Sequence, residues 1–128
     1  MEDALIGMGA AAILLIGSLV LLRVARRASS GALKRNHTVG IRTVQTLASD
    51  EAWAVGNRAG AKTTFIAAVG SIIGSSLAVL CGLLPMLGTS EDLTAAAIAC
   101  LILASCGWAV CWLIAGSRAA NRAAEEAS

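Results

Sequence analysis

Charged residues are scarce in this chain. Only 14% of its 128 residues are Asp, Glu, Lys or Arg, whereas a soluble domain of this size carries about 25%. Three stretches, residues 4–22, 63–87 and 93–115, contain none of these residue types and no histidine. A helix of a soluble bundle presents a charged or polar face to water. The absence of such faces excludes a soluble helical bundle.

The three charge-free stretches have the length of membrane spans. A bilayer core about 30 Å thick requires roughly 20 apolar residues in a helix. We therefore predict an all-α integral membrane protein with three transmembrane helices, at about residues 4–22, 63–87 and 93–115. Together with a loop at residues 23–62, these helices are expected to form a single membrane domain over residues 1–128.

Motifs that carry chemistry are also lacking. No Ser-His-Asp set or glycine-rich phosphate loop can be assembled from the sequence. Asp50 and Glu51 would point about 100° apart on a helix, which suits acid–base catalysis poorly. The single histidine, His37, is expected on the surface of the loop. The spans also lack the ionisable residues that mark most ion pathways, which disfavours transport. We predict no enzymatic activity and no cofactor.

The four cysteines, Cys81, Cys100, Cys106 and Cys111, all lie in the second and third stretches. They show no Cys-x-x-Cys or Cys/His spacing, which argues against a disulfide framework and against a metal site. Cysteine can serve as a small hydrophobe inside a helix, and we expect that role here.

Basic residues are confined to one side of the predicted membrane. All ten Lys and Arg residues lie in the loop or after residue 115, whereas the N-terminal stub and the turn at residues 88–92 carry only acids. Lysine and arginine flanking membrane helices mark the cytoplasmic side. We therefore predict that the N-terminus is outside and the C-terminus is cytoplasmic. A net charge of +2 is fully explained by this topology and gives no reason to expect a nucleic-acid partner.

The loop is the only region where charges, turn formers and an aromatic residue are interleaved. Residues 38–46 mix β-branched side chains with Gly40, which favours an extended or looped course. Ser49 is placed to cap a short amphipathic helix at about residues 50–61, with Asp50 and Glu51 in its first turn. One side of this helix would carry Trp53, Gly56, Asn57 and Gly60, and another would carry Asp50, Ala54, Arg58 and Lys62.

Arg42 is the candidate organising residue of the loop. Its guanidinium group offers five donors in a planar fork, and Asp50 and Glu51 are the only acidic residues in the loop. We predict that Arg42 ties the loop to the start of the short helix and that Trp53 anchors that helix against the membrane helices. The alternative is an Arg42 that is solvated or rests on lipid phosphate.

Small residues recur at every fourth position of the second span, at Gly70, Gly74, Ala78 and Gly82. Such a stripe allows another helix to approach closely, either within the chain or in a dimer. Pro85 and Gly88 should end this helix, so that the second and third helices form an antiparallel hairpin.

The third span ends with two tryptophans and an alanine-rich tail. Trp108 and Trp112 lie one turn apart, as expected of an aromatic belt at the membrane surface, although Trp108 could instead pack against the other helices. The residues after Gly116 are expected to extend the helix briefly and then to fray.

A known family shares the pattern of the loop. The pattern is Gly-Ile-Arg-Thr at residues 40–43, Thr-Leu at 46–47, Ser-Asp-Glu-x-Trp at 49–53 and Asn-Arg-x-x-Gly at 57–60. It resembles the motif of the SdpI-type membrane proteins, within the same three-helix layout. The family often has proline at the position of Val44 and histidine at that of Asn57. Its full-length members carry further N-terminal membrane helices, so the chain resembles their C-terminal module.

The resemblance implies a site and a function. It marks as binding or structural residues Asn36, Gly40, Ile41, Arg42, Thr43, Thr46, Ser49, Asp50, Glu51, Trp53, Asn57 and Arg58. The family is named for a protein that protects a sporulating bacterium against its own toxin and can hold a transcriptional repressor at the membrane. We therefore expect a bacterial plasma-membrane protein that confers immunity to a secreted toxin or signals through its cytoplasmic loop. A small accessory subunit of a larger membrane complex is the alternative. The expected partners are membrane lipids, a membrane protein or a second copy of the chain, and a toxin or cytoplasmic regulator, with no nucleic acid.

Overall fold

The computed structural model describes residues 2–127. It contains three long helices, α1 (Glu2–Ser30), α2 (Asp50–Cys81) and α3 (Glu91–Glu126), and two short 3-10 turns at Thr46–Ala48 and Leu84–Leu87. Each long helix is long and apolar enough to cross a membrane. The prediction of an all-helical protein with three candidate membrane spans is confirmed. We refer to the end of the bundle that carries residues 31–49 as the loop end, and to the other as the turn end.

The separate amphipathic helix predicted at residues 50–61 is wrong. These residues instead form the first third of α2, which continues without a break to Cys81. Lys62 is the only residue between the predicted short helix and the predicted second span. A lysine does not interrupt a helix. Lys62 marks the point where α2 passes into its charge-free stretch, not the end of a helix. Ser49 does cap α2, because its hydroxyl accepts a hydrogen bond from the Ala52 N–H at 3.0 Å.

The second helix also ends earlier than the charge-free stretch predicted, at Cys81 rather than near residue 87. Pro85 lies in the 3-10 turn that follows, and Gly88 ends that turn with a φ of 92°, a conformation that glycine adopts readily. Ser90 then caps α3 by accepting a hydrogen bond from the Leu93 N–H at 3.2 Å. The short connection makes α2 and α3 antiparallel neighbours, as expected.

Helix α2 lies between α1 and α3 and packs against both of them. Its small-residue stripe is used within the chain. A Cβ atom at Gly70 would overlap the indole of Trp108, and one at Gly74 would overlap the hydroxyl of Ser105. At the turn end, Ala78 is buried with Ala11 of α1 and Ile98 of α3, and a Cβ atom at Gly82 would overlap Met8 of α1. Of the two alternatives for the stripe, packing within the chain is the one observed.

Trp108 lies against α2 as well as at the surface of the bundle. Its indole N–H donates to the carbonyl oxygen of Ile66 at 2.9 Å, which the missing side chain of Gly70 makes possible. Its ring centroid is 5.7 Å from that of Trp112. Trp108 therefore joins α3 to α2. Of the two roles considered for it, packing against another helix is the one observed, not a purely interfacial position.

The end of α3 does not fray as the sequence had suggested. The helix continues to Glu126, and Gly116, Ala120 and Ala124 are buried along one side of its last three turns. These residues lie at four-residue intervals and face the first turns of α2, where a Cβ atom on Gly56 would lie 3.1 Å from the Ala120 carbonyl oxygen. The contact with α2 orders the tail.

Candidate functional site

The residues between α1 and α2 are folded onto the loop end of the bundle. We call residues 31–48 the loop cap. Most of this segment has no regular secondary structure. Irregular loops longer than about 12–15 residues are uncommon inside compact domains and are frequently functional when ordered. Their backbone polar groups need partners, and the loop cap finds many of these in side chains.

Asn36 shapes the first half of the loop cap. Its side-chain oxygen accepts hydrogen bonds from the N–H groups of Thr38 and Val39, both at 2.8 Å, and its amide donates to the carbonyl oxygen of Lys34 at 2.8 Å. Asparagine commonly closes turns through such local bonds. Gly40 follows with a φ of 105°, a value that other residues rarely adopt. Together they turn the chain back towards the start of α2.

Asn57 of α2 holds the centre of the loop cap. Its side-chain oxygen accepts a hydrogen bond from the Ile41 N–H at 2.7 Å, and its amide donates to the Ile41 carbonyl oxygen at 3.3 Å and to that of Trp53 at 3.1 Å. The side chain thus acts as a substitute for a neighbouring strand. Asn57 is buried, so these bonds replace those that water would otherwise make.

Trp53, which lies one turn before Asn57 in α2, holds the start of the loop cap. Its side chain is only 2% exposed and packs in a cluster with Ala28 of α1 and Leu33. The indole N–H donates to the Leu33 carbonyl oxygen at 3.0 Å. A buried indole usually finds such an acceptor. Here the bond ties the segment that leaves α1 to the first turns of α2.

A threonine pair joins the loop cap to α3. The hydroxyl of Thr43 donates to the side-chain oxygen of Asn121 at 2.6 Å. The hydroxyl of Thr46, which is fully buried, accepts from the Thr43 N–H at 2.9 Å and donates to the Ile41 carbonyl oxygen at 2.8 Å. These bonds connect residues far apart in sequence, so all three helices contribute to holding the loop cap.

Glycines let the loop cap and the helices approach each other closely. A Cβ atom on Gly56 would lie 2.8 Å from the Thr46 methyl group, and one on Gly60 would overlap the side chain of Ile41 and lie 3.0 Å from the Gly116 carbonyl oxygen. Real Cβ atoms essentially never come closer than 3.0 Å to another atom, as they would here to the Thr46 methyl group and to Ile41. The Asn-Arg-x-x-Gly segment therefore places its glycine where Ile41 inserts.

The predicted ion pair of Arg42 is wrong. Asp50 pairs with Arg35, whose Nε lies 3.1 Å from the Asp50 carboxylate, and Arg35 also donates to the Leu47 carbonyl oxygen at 3.3 Å. Arg42 is exposed. The bonds from Asn57 hold Ile41 with its side chain against Gly60, while the next side chain, that of Arg42, lies exposed outside this contact. Asn57, rather than Arg42, ties the Gly-Ile-Arg-Thr segment to α2.

The motif residues therefore divide into two groups. Asn36, Gly40, Ile41, Thr43, Thr46, Trp53 and Asn57 form the buried or half-buried framework, together with the capping residue Ser49. Asp50, Glu51 and Arg58 lie outside it on the exposed side of α2. Arg42 and its neighbour Val44, which is 86% exposed, form the outer rim of the loop cap.

An apolar cavity lies against the loop cap, with residues of all three helices in its walls. Its volume is about 230 Å³, and its walls include Gly17 and Val24 of α1, Ile41 of the loop cap and Leu113 of α3. Asn57 and Thr64 supply its polar groups, and both are already bonded within the protein. The cavity could take an apolar side chain or the end of an acyl chain, but offers no free group for chemistry.

Sequence reasoning missed the partners on the far side of the site. Asn121 and Gly116 come from α3, and Leu33 contributes through its backbone. One signal could have revealed the contact between α2 and the last turns of α3. Small residues recur at every fourth position on both helices, at Gly56 and Gly60 and at Gly116, Ala120 and Ala124. Nothing local marks Asn121 as the partner of Thr43.

A sequence model of the SdpI/YfhL protein family matches residues 32–117, about two thirds of the chain. The matched region contains all of the loop cap except Gly31, the whole of α2 and most of α3. No curated protein and no solved structure matched the chain.

Proposed function

Because the chain belongs to the SdpI/YfhL protein family, we propose that it is a bacterial plasma-membrane protein that confers immunity to a secreted toxin or transmits a signal, with the loop cap as its working surface. Toxin protection is the form of this proposal that is most directly tested. Family membership supports the membrane setting, and the architecture of the loop cap supports the choice of surface.

The observation that carries the proposal is the division of the loop cap into a fixed framework and an exposed rim. The buried hydrogen bonds of Asn57 and Thr46 hold the backbone in one shape, while Val44 and Arg42 are presented to the outside. An exposed apolar residue beside an arginine is suited to contact with another protein, since arginine is enriched in interfaces. A loop that only connected two helices would not need this framework.

We place the loop cap in the cytoplasm, with the N-terminus outside and the C-terminus inside. This orientation rests on the ten basic residues, all of which flank the loop end of the helices. In a variant without the four native cysteines, a cysteine at Thr89 should react in whole cells with a thiol reagent that cannot cross membranes. A cysteine at Ser29 should react only after the cells are opened. The opposite pattern would reverse the orientation.

The test of function is a survival assay. A strain lacking the gene should grow poorly in conditioned medium from its parent strain, and the wild-type gene should restore growth. Val44→Asp should fail to restore it while the protein is still made and inserted, because the substitution alters only an exposed side chain. Leu87→Asp, which changes an equally exposed residue at the turn end, is the matched control for expression and insertion.

Growth of the deletion strain equal to that of its parent would contradict toxin immunity. Full rescue by Val44→Asp would remove the rim of the loop cap from the mechanism. Signalling would then be judged by whether deletion alters transcript levels in the absence of toxin.

An accessory subunit remains the second candidate, and one feature favours it. An open apolar groove of about 460 Å³ runs along α2 and α3, with Phe65, Gly70, Gly74 and Trp108 among its walls. Small and aromatic residues beside a groove suit a helix of another membrane protein. Purification in mild detergent should then yield one membrane partner in stoichiometric amount, and Gly107→Leu, outside the groove, should leave that yield unchanged.

A further inference from the structure

A basic groove runs between the end of α1 and the first turns of α2. Its walls include Arg26 and Ser29 of α1 and Arg58, Lys62 and Phe65 of α2, around a volume of about 480 Å³. No carboxylate is among the residues that line it. The three cations come from two different helices, so the groove depends on the packing of α1 against α2.

The positive charges in this groove are not neutralised by the protein. Among the described residues, α2 carries two acids, Glu51 and Asp50, and Asp50 pairs with Arg35. Glu51, the nearer of the two, precedes Arg58 by seven residues, or about 10.5 Å along a helix. Arg58 and Lys62 are themselves four residues apart, a spacing at which like charges repel. An anion in the groove would remove this repulsion.

The backbone is shaped to let Arg58 reach across to α1. Gly31 follows α1 with a φ of 78°, and a Cβ atom there would lie 2.7 Å from the Arg58 guanidinium nitrogen. The guanidinium group therefore lies over the end of α1, close to Ser30, which also lines the groove. A planar guanidinium can donate two parallel hydrogen bonds to a phosphate group.

The position of the groove along the helices identifies the source of the anion. Lys62 directly precedes the charge-free stretch of α2, and Arg26 lies one turn beyond that of α1. Phe65, one turn further towards the membrane, is partly exposed in the same groove. The cations thus lie at the level of lipid headgroups, with an apolar surface directly below them for acyl chains.

We propose that this groove binds the phosphate of an anionic phospholipid, with Arg26, Arg58 and Lys62 as its ligands and Phe65 against the acyl chains. Three cations without a carboxylate favour an anionic headgroup over a zwitterionic one, whose own positive charge would be repelled. The proposal requires membrane insertion but not toxin immunity, and neither Arg42 nor Val44 is among the residues that line the groove.

The test is lipid binding by the full chain in detergent, measured by native mass spectrometry with phosphatidylglycerol and phosphatidylcholine as probes. The wild type should retain phosphatidylglycerol in preference. Arg58→Gln with Lys62→Gln should weaken its binding about 25-fold, since each basic residue near a membrane surface contributes about fivefold, or about 1 kcal/mol. Arg118→Gln with Arg122→Gln removes the same charge from α3, outside the groove, and should have little effect.

Two further arms keep the result clear. Arg26→Gln, which changes only α1, should weaken binding about fivefold even if the double variant unfolds. Millimolar inorganic phosphate should not displace the lipid. Equal losses in the two double variants, or equal retention of both lipids by the wild type, would overturn the proposal. Displacement by inorganic phosphate would also overturn it, in favour of a site for the free anion.

Discussion

The two ends of the bundle are held together in different ways. At the loop end, side-chain hydrogen bonds join residues 16, 20 and 78 positions apart, through Asn57, Trp53 and Thr43 respectively. At the turn end, the bonds of the 3-10 turn and of the Ser90 cap span only a few residues. Met86 and Leu87 there are 78% and 82% exposed.

This contrast separates a connection from a built surface. A short turn between antiparallel helices needs only a proline, a left-handed glycine and a cap, all of which are local. A long irregular segment has many backbone groups to satisfy, and the loop cap obtains its partners from α2 and α3. The long-range hydrogen bonds are concentrated at the loop end, where the chain is polar. This concentration supports the loop end as the functional one. The substitutions below test whether the two ends differ in stability and in function.

The largest effect is expected for Asn57→Leu. The leucine keeps a similar volume but leaves the Ile41 N–H without its partner, while the Ile41 carbonyl oxygen loses one of its two bonds and keeps that from Thr46. An unsatisfied buried polar group costs about 1–3 kcal/mol and the loss of a further hydrogen bond about 1 kcal/mol, so we expect the free energy of unfolding in detergent to fall by about 2–4 kcal/mol. Amide hydrogen exchange at Ile41 should accelerate at the same time.

The control for Asn57→Leu comes from the turn end. Ser90→Ala removes the cap of α3 and should cost about 1 kcal/mol, as N-cap losses typically do, without changing exchange in the loop cap. Similar losses in the two variants would mean that the loop end is no more firmly built than the turn end.

A second variant tests how far close packing of α2 against α3 extends from the loop end. Gly74 lies midway along the membrane-spanning part of α2, and a side chain there would overlap Ser105. Overpacking costs about 1–3 kcal/mol, so Gly74→Leu should lower the free energy of unfolding by that amount. It should not change the oligomeric state, because the contact lies within the chain.

Gly107→Leu is the matched substitution for Gly74→Leu, since nothing lies within 4 Å of the added Cβ atom at that position. It should leave the unfolding transition almost unchanged. If Gly74→Leu were equally harmless, close packing of α2 against α3 would be limited to the loop end. Loss of a dimer in Gly74→Leu would instead assign the stripe to self-association.

The sequence was sufficient to predict what depends on local chemistry. The absence of charge predicted the three spans, and a hydroxyl residue before an acidic first turn predicted the cap at Ser49. The continuity of α2 was missed because Lys62 looked like a boundary. In physical terms it is a charge on an exposed helix face, and a helix ends only where the backbone loses its bonds.

The site was harder to predict because its contacts are distant in sequence. Residues on the Trp53 side of α2 were grouped correctly, and all four are buried, whereas the four on the Asp50 side are exposed. The direction of side chains in the loop cap could not be derived in the same way. It depends on the left-handed Gly40 and on the bonds to Asn57, and the bond from Thr43 to Asn121 requires α3 to be in place first.

The smallest effect on stability, and the most informative one for function, is expected when the two loop arginines are compared. Arg35→Ala breaks the ion pair with Asp50. The side chains of Arg35 and Asp50 are 41% and 87% exposed, and surface pairs contribute at most about 1 kcal/mol. Arg42→Ala removes no bond within residues 2–127, so it should leave the free energy of unfolding unchanged.

In the survival assay, the two substitutions should rank in the opposite order to their effects on the free energy of unfolding. If the exposed rim of the loop cap contacts a partner, Arg42→Ala should reduce protection strongly while Arg35→Ala leaves most of it. Arg42→Lys distinguishes a planar fork from a simple charge, because lysine keeps the charge and loses the paired donors. Full protection by Arg42→Ala would assign no role to this arginine, and the contrast between the two ends would then reflect folding alone. A larger loss of protection from Arg35→Ala than from Arg42→Ala would move the working surface from the rim to the side of the loop cap near Asp50.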